Sequence, residues 1–169
     1  MISNRQRAEK KRIAFAATDI HRKSLIEWAY YNQDILKEHE LIATGTTADI
    51  LEGTIGVPVT RLHDGAGAAN QQLAALAAEQ KLDILLFFWD PLQPLQYENG
   101  VRALYDTAVA RNIIVACNQA TADFVLASAL MNKTHAVPVL PDFLYRSKSA
   151  PPFTAGEGRR VVLKVNTIH

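Results

Sequence analysis

The sequence predicts a doubly wound α/β fold: a five-stranded parallel sheet with helices on both faces. Three observations carry this. Short apolar runs alternate with longer stretches of helical periodicity along most of the chain. The run Asp83 to Trp89 is apolar at nearly every position after its first, as a central parallel strand covered on both faces should be. The apolar runs end in polar or glycine-containing residues, the usual character of the ligand-binding end of such a sheet.

Taken in order, Arg12 to Thr18 reads as the first buried strand, and Asp19 follows as a cap for a helix carrying Leu25, Ile26, Trp28 and Ala29. That helix, whole or broken into two, continues through Ile35 and Leu36. Leu41 to Ala43 is the second strand, ending at Thr44-Gly45-Thr46-Thr47. A short helix from Ala48 to Glu52 is stopped by Gly53 and Gly56. Pro58 to Leu62 is the third strand and His63 to Gly67 a loop. A helix of about 69–79 then carries Leu73, Leu76 and Ala77 on one face. After the central strand, a loop with Pro91 and Pro94 leads to a helix of about 101–111, a fifth strand from Ile113 to Cys117, and a helix from Thr121 to Leu130. Val137 to Leu140 reads as a short edge strand, 147–158 as a loose Ser/Pro/Gly/Ala-rich loop, and Arg160 to Asn166 as an added strand. The organisation expected is a charged N-terminal arm (1–11), one domain (12–146) and a C-terminal tail (147–169). No internal repeat points to a solenoid.

Composition narrows the function classes. A chain of 169 residues that is 49% hydrophobic suits one domain with one sizeable core. A formal net charge of +1 gives no basic excess for nucleic acid. The cluster Arg5, Arg7, Lys10, Lys11, Arg12 precedes too short an apolar stretch for a signal peptide and reads as a solvated arm. No apolar run is long enough to span a bilayer. With one cysteine, Cys117, no internal disulfide can form, so a cytoplasmic, reducing setting is expected, with Cys117 as a small buried hydrophobe. Trp28, Tyr30 and Tyr31 read as core and helix-face packing. The five histidines show no metal-binding spacing, and no G-x-S-x-G elbow is present.

Five strand ends should converge on one cleft: Thr18-Asp19, Thr44 to Thr47, His63 to Gly67, Asp90, and Asn118 to Thr121. Any one of them alone is explained by helix capping and turns. Thr44 to Thr47 goes further, with three hydroxyls and a glycine within four residues directly before a helix. Backbone N–H groups, hydroxyls and the helix dipole there suit a small anion, best a phosphate ester. The lysine of a P-loop is absent, so a nucleoside triphosphate is not implied. Arg22 or Lys23, one turn into the first helix, could reach the anion.

The segments Ile13 to Asp19 (IAFAATD), Leu41 to Thr47 (LIATGTT), Gln71-Gln72, Leu82 to Leu92 (LDILLFFWDPL), Asn118 to Phe124 (NQATADF) and Pro141-Asp142-Phe143 together resemble the methylglyoxal synthase family, without gaps from about Arg12 to Arg146. The resemblance implies a homohexamer without metal or organic cofactor. Its substrate is a small phosphorylated metabolite, dihydroxyacetone phosphate. A carboxylate takes a C3 proton, and phosphate is eliminated to leave methylglyoxal. By the same resemblance Thr44, Gly45, Thr46, Thr47 and Gly65 correspond to phosphate-binding residues, Arg22 stands at the place of a phosphate-binding lysine, and Asp19 and Asp90 match acidic residues of the site. The family's S-G-P-x-G-G-D-Q-Q appears here as Asp64 to Gln72, so Asp64 replaces a phosphate-contacting serine and Asn70 the catalytic-base aspartate. Its P-H-E/D-P-D segment is Gln96 to Gly100, which puts Tyr97 at the histidine and Gly100 at the last aspartate. The histidine of its A-H-D motif is Thr18. An amide cannot serve as a general base, so these departures imply an impaired lyase. The alternatives are a non-catalytic binding or regulatory domain, or a lyase for another small substrate.

Overall fold

The computed structural model describes residues 3–63, 67–88, 90, 92 and 100–139. In chain order the elements are β1 (Ser3–Arg7), β2 (Arg12–Ala17), α1 (Asp19–Tyr31), α2 (Gln33–Leu36), β3 (Glu40–Thr44), α3 (Gly45–Ile55), β4 (Val59–Leu62), α4 (Ala68–Ala78), β5 (Ile84–Phe88), α5 (Arg102–Ala110), β6 (Ile114–Ala116), α6 (Gln119–Leu126) and β7 (His135–Val139). Five strands form one parallel sheet in the order β4-β3-β2-β5-β6. The strand order reverses direction between β2 and β5, which places the switch point where Thr18 leaves β2.

Two apolar layers follow from the period-two alternation of the strands. Ile13 and Phe15 of β2 face Leu25 and Trp28 of α1, Leu51 and Ile55 of α3, and Ala122 and Leu126 of α6. Ala14 and Ala16 face the opposite way, onto Leu73 and Ala77 of α4 and Leu104 and Ala108 of α5. The sheet is therefore covered on both faces, as expected. Each fully buried Leu, Ile or Phe in these layers contributes about 1.5–3 kcal/mol of transfer free energy.

Several expectations need correction. The charged N-terminal cluster is not a solvated arm: Arg5, Arg7 and Lys11 are buried. β1 pairs antiparallel with β7 and alternates so that Arg5 and Arg7 point inward. β7 is thus half of a separate two-stranded sheet and not an edge of the main one. α3 begins at Gly45 and runs through Gly53 to a left-handed Gly56 (φ 74°), longer than the glycines suggested. Cys117 is exposed, because β6 ends at Ala116 and the chain leaves the sheet there. Trp28 is buried, but Tyr30 and Tyr31 lie on the surface, edge-on to each other. The strand expected over Arg160 to Asn166 and the tail lie outside the described residues.

The inward arginines meet Asp83, which precedes β5 and is 1% exposed. Arg5 Nη2 donates to Asp83 Oδ1 at 2.5 Å. The backbone N and Nε of Arg12 donate to Asp83 Oδ2 at 2.9 and 3.1 Å. Burial pushes the Asp83 carboxyl up, but the hydrogen bonds from Arg12 and the charges of Arg12 and Arg5 outweigh it and hold the carboxyl below its ordinary range. Its stabilisation is therefore fully present above the unfolded value of 3.8 and is lost as pH falls below it. His39 behaves with the same sign at higher pH. Burial foremost, then the charge of Lys11, lowers its pKa from 6.5, while its Nδ1 accepts from the Lys11 backbone N–H at 3.1 Å, so its protonation below about pH 6.5 opposes folding. We expect Asp83→Asn to lower unfolding free energy by about 3–5 kcal/mol, because it leaves Arg5 as a buried unpaired charge. Urea titrations of wild type and variant at neutral pH measure this. Wild-type stability should decline in two steps on acidification, the lower of which the variant lacks.

Candidate functional site

Parallel pairing of β2 with β3, with Phe15 opposite Ala43, brings the ends of these strands side by side, so α1 and α3 start next to each other and pack together. Thr18 occupies the N-cap position of α1 and Thr44 that of α3, both with extended backbone. The Thr18 N–H is held by the carbonyl of Phe88 at 3.1 Å, which fixes it at the switch point. Asp19 is the first helical residue and not the cap.

A threonine at an N-cap ordinarily accepts a hydrogen bond from the N–H two or three residues on. Neither Thr18 nor Thr44 makes this bond. Asn118, at the start of α6 beyond the outer strand β6, does: its Oδ1 accepts from the N–H and the hydroxyl of Thr121, each at 2.9 Å. The first turns of α1 and α3 thus lack a side-chain cap on adjacent strands, the His21 N–H being held by the Thr18 carbonyl at 2.9 Å, while α6 has one.

Three buried polar atoms in the same region have no hydrogen-bond partner among the described residues: Thr18 Oγ1, Thr47 Oγ1 and Arg22 Nε. Thr47 is fully buried, Gly45 is buried, and Thr46 is exposed. Buried polar groups without partners are rare, and a cluster of them beside two helix N-termini is an arrangement of donors suited to an oxygen-rich anion. Arg22 also donates through Nη2 to Asp19 Oδ1, and Asp19 is otherwise exposed. Lys23 projects into solvent next to Glu27. A depression of about 480 Å³ between α1 and α3 is lined by Asp19, Arg22, Lys23, Ile26, Glu27 and Ile50.

Asp90 lines a second cavity, of about 470 Å³, on the α6 flank of α1, together with His21, Ser24, Cys117 and Asn118. Its Oδ1 accepts from the N–H of Leu92 at 2.9 Å. Asn70 lies half-buried in the first turn of α4, where Gly100 approaches it: a Cβ on Gly100 would come within 3.5 Å of the Asn70 Cβ. Gly100 has φ +81°, so a side chain there would be strained. Gln72 accepts from the N–H of His63 at 3.2 Å and braces the loop before α4. Asp64, Gly65 and Tyr97 lie outside the described residues. Among those described, no His/Cys/Asp/Glu group is arranged to hold a metal ion, and no helix is long and apolar enough to cross a membrane.

The structure therefore starts the helix of Asp19 and Arg22 and the helix of Thr44 to Thr47 from neighbouring strands, sets Asp90 on the other flank of α1, and puts Asn70 on the helix α4 of the opposite layer. Sequence reasoning set Thr18-Asp19 among the strand ends of the cleft but took the aspartate for the cap of α1; the structure puts Thr18 at that position.

Comparison with known proteins concerns the chain and its fold. The sequence model of the MGS-like domain matches residues 24–117. A methylglyoxal synthase of Coxiella burnetii (strain RSA 493 / Nine Mile phase I) is 43% identical over 139 residues, 82% of this chain and 96% of its own. One from Yersinia enterocolitica is 43% identical over 131 residues, 78% of this chain and 86% of its own. The crystal structure of methylglyoxal synthase from Elizabethkingia anophelis NUHP1 superposes with a TM-score of 0.77 at 35% identity, covering 89% of this chain and 99% of that one.

The capping contrast separates two kinds of polar residue. Asn118→Ala should cost about 1 kcal/mol of stability and leave phosphate affinity unchanged. The Thr46→Ala, Thr47→Ala double variant should weaken phosphate binding by about 10-fold or more, from the loss of hydrogen bonds to a charged group. Calorimetric titration with inorganic phosphate, beside thermal melts, distinguishes the two.

Proposed function

We propose, starting from the fact that the chain belongs to the methylglyoxal synthase family, that its cleft binds a small phosphorylated metabolite such as dihydroxyacetone phosphate and that its phosphate-eliminating activity is weak. The observation that carries the binding half is the fully buried Thr47 hydroxyl without a partner among the described residues, at the uncapped start of α3 beside Arg22. The phosphoryl group would lie against the N–H groups of Thr46 and Thr47, the Thr47 hydroxyl and the Arg22 guanidinium, with the helix dipole favouring its charge.

The catalytic half turns on Asn70. Elimination begins when a base removes a proton from the carbon beside the ketone. The electron pair passes through the carbonyl to give an enediolate, the C–O bond to phosphate then breaks, and the enol left behind rearranges to the 2-oxoaldehyde. A positioned base contributes about 10²–10⁴-fold to a proton transfer of this kind, or about 3–5 kcal/mol of barrier. Asn70 carries no lone pair basic enough to supply it. Asp64, six residues earlier, is the competing base, and Tyr97 at the histidine position would donate a hydrogen bond where the family moves a proton.

The assembly we infer is a cytoplasmic homohexamer. Ile20, Val109 and Phe124 are 61, 70 and 81% exposed, and the family resemblance supplies the number of subunits. Light scattering should report six chains of 18.7 kDa per particle; a monomer at micromolar concentration overturns the assembly.

Phosphate release from dihydroxyacetone phosphate tests the activity. Wild type should turn over about 10²–10⁴-fold more slowly than a relative that carries the aspartate, and Asn70→Asp should raise the rate. Turnover in the range of about 10–10³ per second by wild type, abolished in Asp64→Asn, would instead identify Asp64 as the working base.

A further inference from the structure

His39 lies immediately before β3 and is only 5% exposed. Its Nδ1 accepts from the backbone N–H of Lys11 at 3.1 Å, so the ring is neutral in this arrangement and its proton sits on Nε2. Nε2 is buried without a partner among the described residues. Lys11, on the other side of that bond, is where three segments meet. Its carbonyl accepts from the Glu40 N–H at 2.9 Å, which starts the pairing of β2 with β3. Its Nζ donates to the carbonyls of Ala8 and Glu9 in the β1–β2 turn and, at 2.9 Å, to that of Lys133 on the approach to β7. An imidazolium at position 39 would carry N–H groups on both nitrogens. Nδ1 would then face the Lys11 N–H donor to donor, and a second charge would stand beside the buried Lys11. The charged groups that act on the ring are Lys11 and Lys10 from the β1–β2 turn and Glu38 from the segment before β3. Burial and the two lysines oppose protonation more than Glu38 favours it.

We propose that His39 is a pH-sensitive latch: its protonation expels the ring from beside Lys11 and frees the β1–β2 turn from the start of β3, while the rest of the fold stays closed. The opening is local because the other ties at this end do not involve the imidazole. Arg5 is held by the Leu82 carbonyl at 3.0 Å and by Asp83, whose carboxyl titrates below 3.8. Arg7 donates to the carbonyl of Asn112, and β1 stays paired with β7 from Ser3 to Arg7. The direction with pH follows from burial. Burial foremost, then Lys11, lowers the His39 pKa from its ordinary 6.5, so the closed latch is fully favoured above that value and loses ground as pH falls below it. Uptake of one proton per opening raises the opening constant by at most about 10-fold per pH unit, and the rise stops once pH reaches the lowered folded-state value. Between that range and the more acidic one in which Asp83 titrates, the turn is free and β1 remains attached.

Hydrogen exchange of the full chain, read by mass spectrometry between about pH 7.5 and 5 and corrected for the intrinsic pH dependence of exchange, tests the latch. Wild type is compared with His39→Gln and His39→Asn. Neither variant titrates in this range, and the glutamine Oε1 can still accept from the Lys11 N–H. In wild type the peptides containing Lys11 and Glu40 should lose protection as pH falls below 6.5, by at most about 10-fold per pH unit. Peptides of β1 (Ser3–Arg7) and β5 (Ile84–Phe88) should keep theirs. In His39→Gln the trend with pH should be absent. Equal loss of protection in wild type and His39→Gln overturns the proposal. So does simultaneous opening of the Lys11 and β5 peptides, since protonation would then unfold the whole domain. If neither variant folds, wild type decides alone. Its opening must follow the titration of the His39 ring seen by nuclear magnetic resonance, and an opening independent of pH, or a ring that titrates above 6.5, overturns the latch.

Discussion

The carboxylate of Asp83 is the constraint on which the rest of the structure depends. It lies at the amino ends of the parallel strands, where β5 begins, and is buried among groups that would be costly to bury alone. One oxygen takes the guanidinium of Arg5 and the other the backbone and side chain of Arg12. The first contact draws β1 under the sheet, and the second fixes β2 against β5. Lys11 extends the same bond set, donating to the carbonyls of Ala8 and Lys133 and so tying the β1–β2 turn to the approach to β7. A buried ion pair adds little net stability compared with apolar packing of the same volume, but it is intolerant of any other arrangement. Its value here is that it determines which end of the sheet is closed.

With the amino ends locked, buried polar atoms without partners among the described residues remain at both ends of the sheet, Arg7 Nε and His39 Nε2 being those at the amino end. At the closed end Asp83, Arg5, Arg12 and Lys11 are bonded within the chain. At the carboxyl ends Thr18, Thr47 and Arg22 keep buried atoms without partners among the described residues. The starts of α1 and α3 add uncapped N–H groups and aligned dipoles to the same spot. A fold can hold such a set only if cohesion elsewhere offsets the cost of a few kcal/mol. The two apolar layers on either side of β2 and β5 supply that cohesion.

Much of this was legible in the sequence. The alternation of apolar runs with helical periods gave the five parallel strands and their polar ends, because burial on both faces demands continuous apolar runs such as Ile84 to Phe88. The position of the Thr44 to Thr47 loop followed from the strand before it. What escaped depended on partners distant in sequence. Arg5 and Arg7 look like a solvated arm until β7, over 120 residues later, gives β1 something to pair with. Cys117 looks like core because nothing local says that β6 stops at Ala116. The closeness of Gly100 to Asn70 is created by the packing of α4 on α5, and no spacing in the chain encodes it. The residue type at Thr18 does not reveal whether the threonine caps its helix, which is a matter of rotamer and surroundings; in the structure it makes no side-chain cap bond.

The residues proposed for binding and for proton transfer sit on different layers of the sheet. The proposed anion contacts come from the starts of α1 and α3, on one layer of the sheet, whereas Asn70 belongs to α4 on the other layer. Substitutions on α4 therefore leave the donors around Thr47 in place. Gly100 works in the same direction. At φ +81° a side chain is strained, so an acid at position 100 needs a different backbone as well as a different residue. Recovery of a base at position 70 needs only an exchange of amide for carboxylate at nearly constant shape. The two altered positions are unequal for that reason. An amide-for-carboxylate exchange at position 70 keeps the side-chain shape, while Gly100 is fixed by the positive φ it adopts, so the proposed base is more readily restored at position 70 than an acid at position 100.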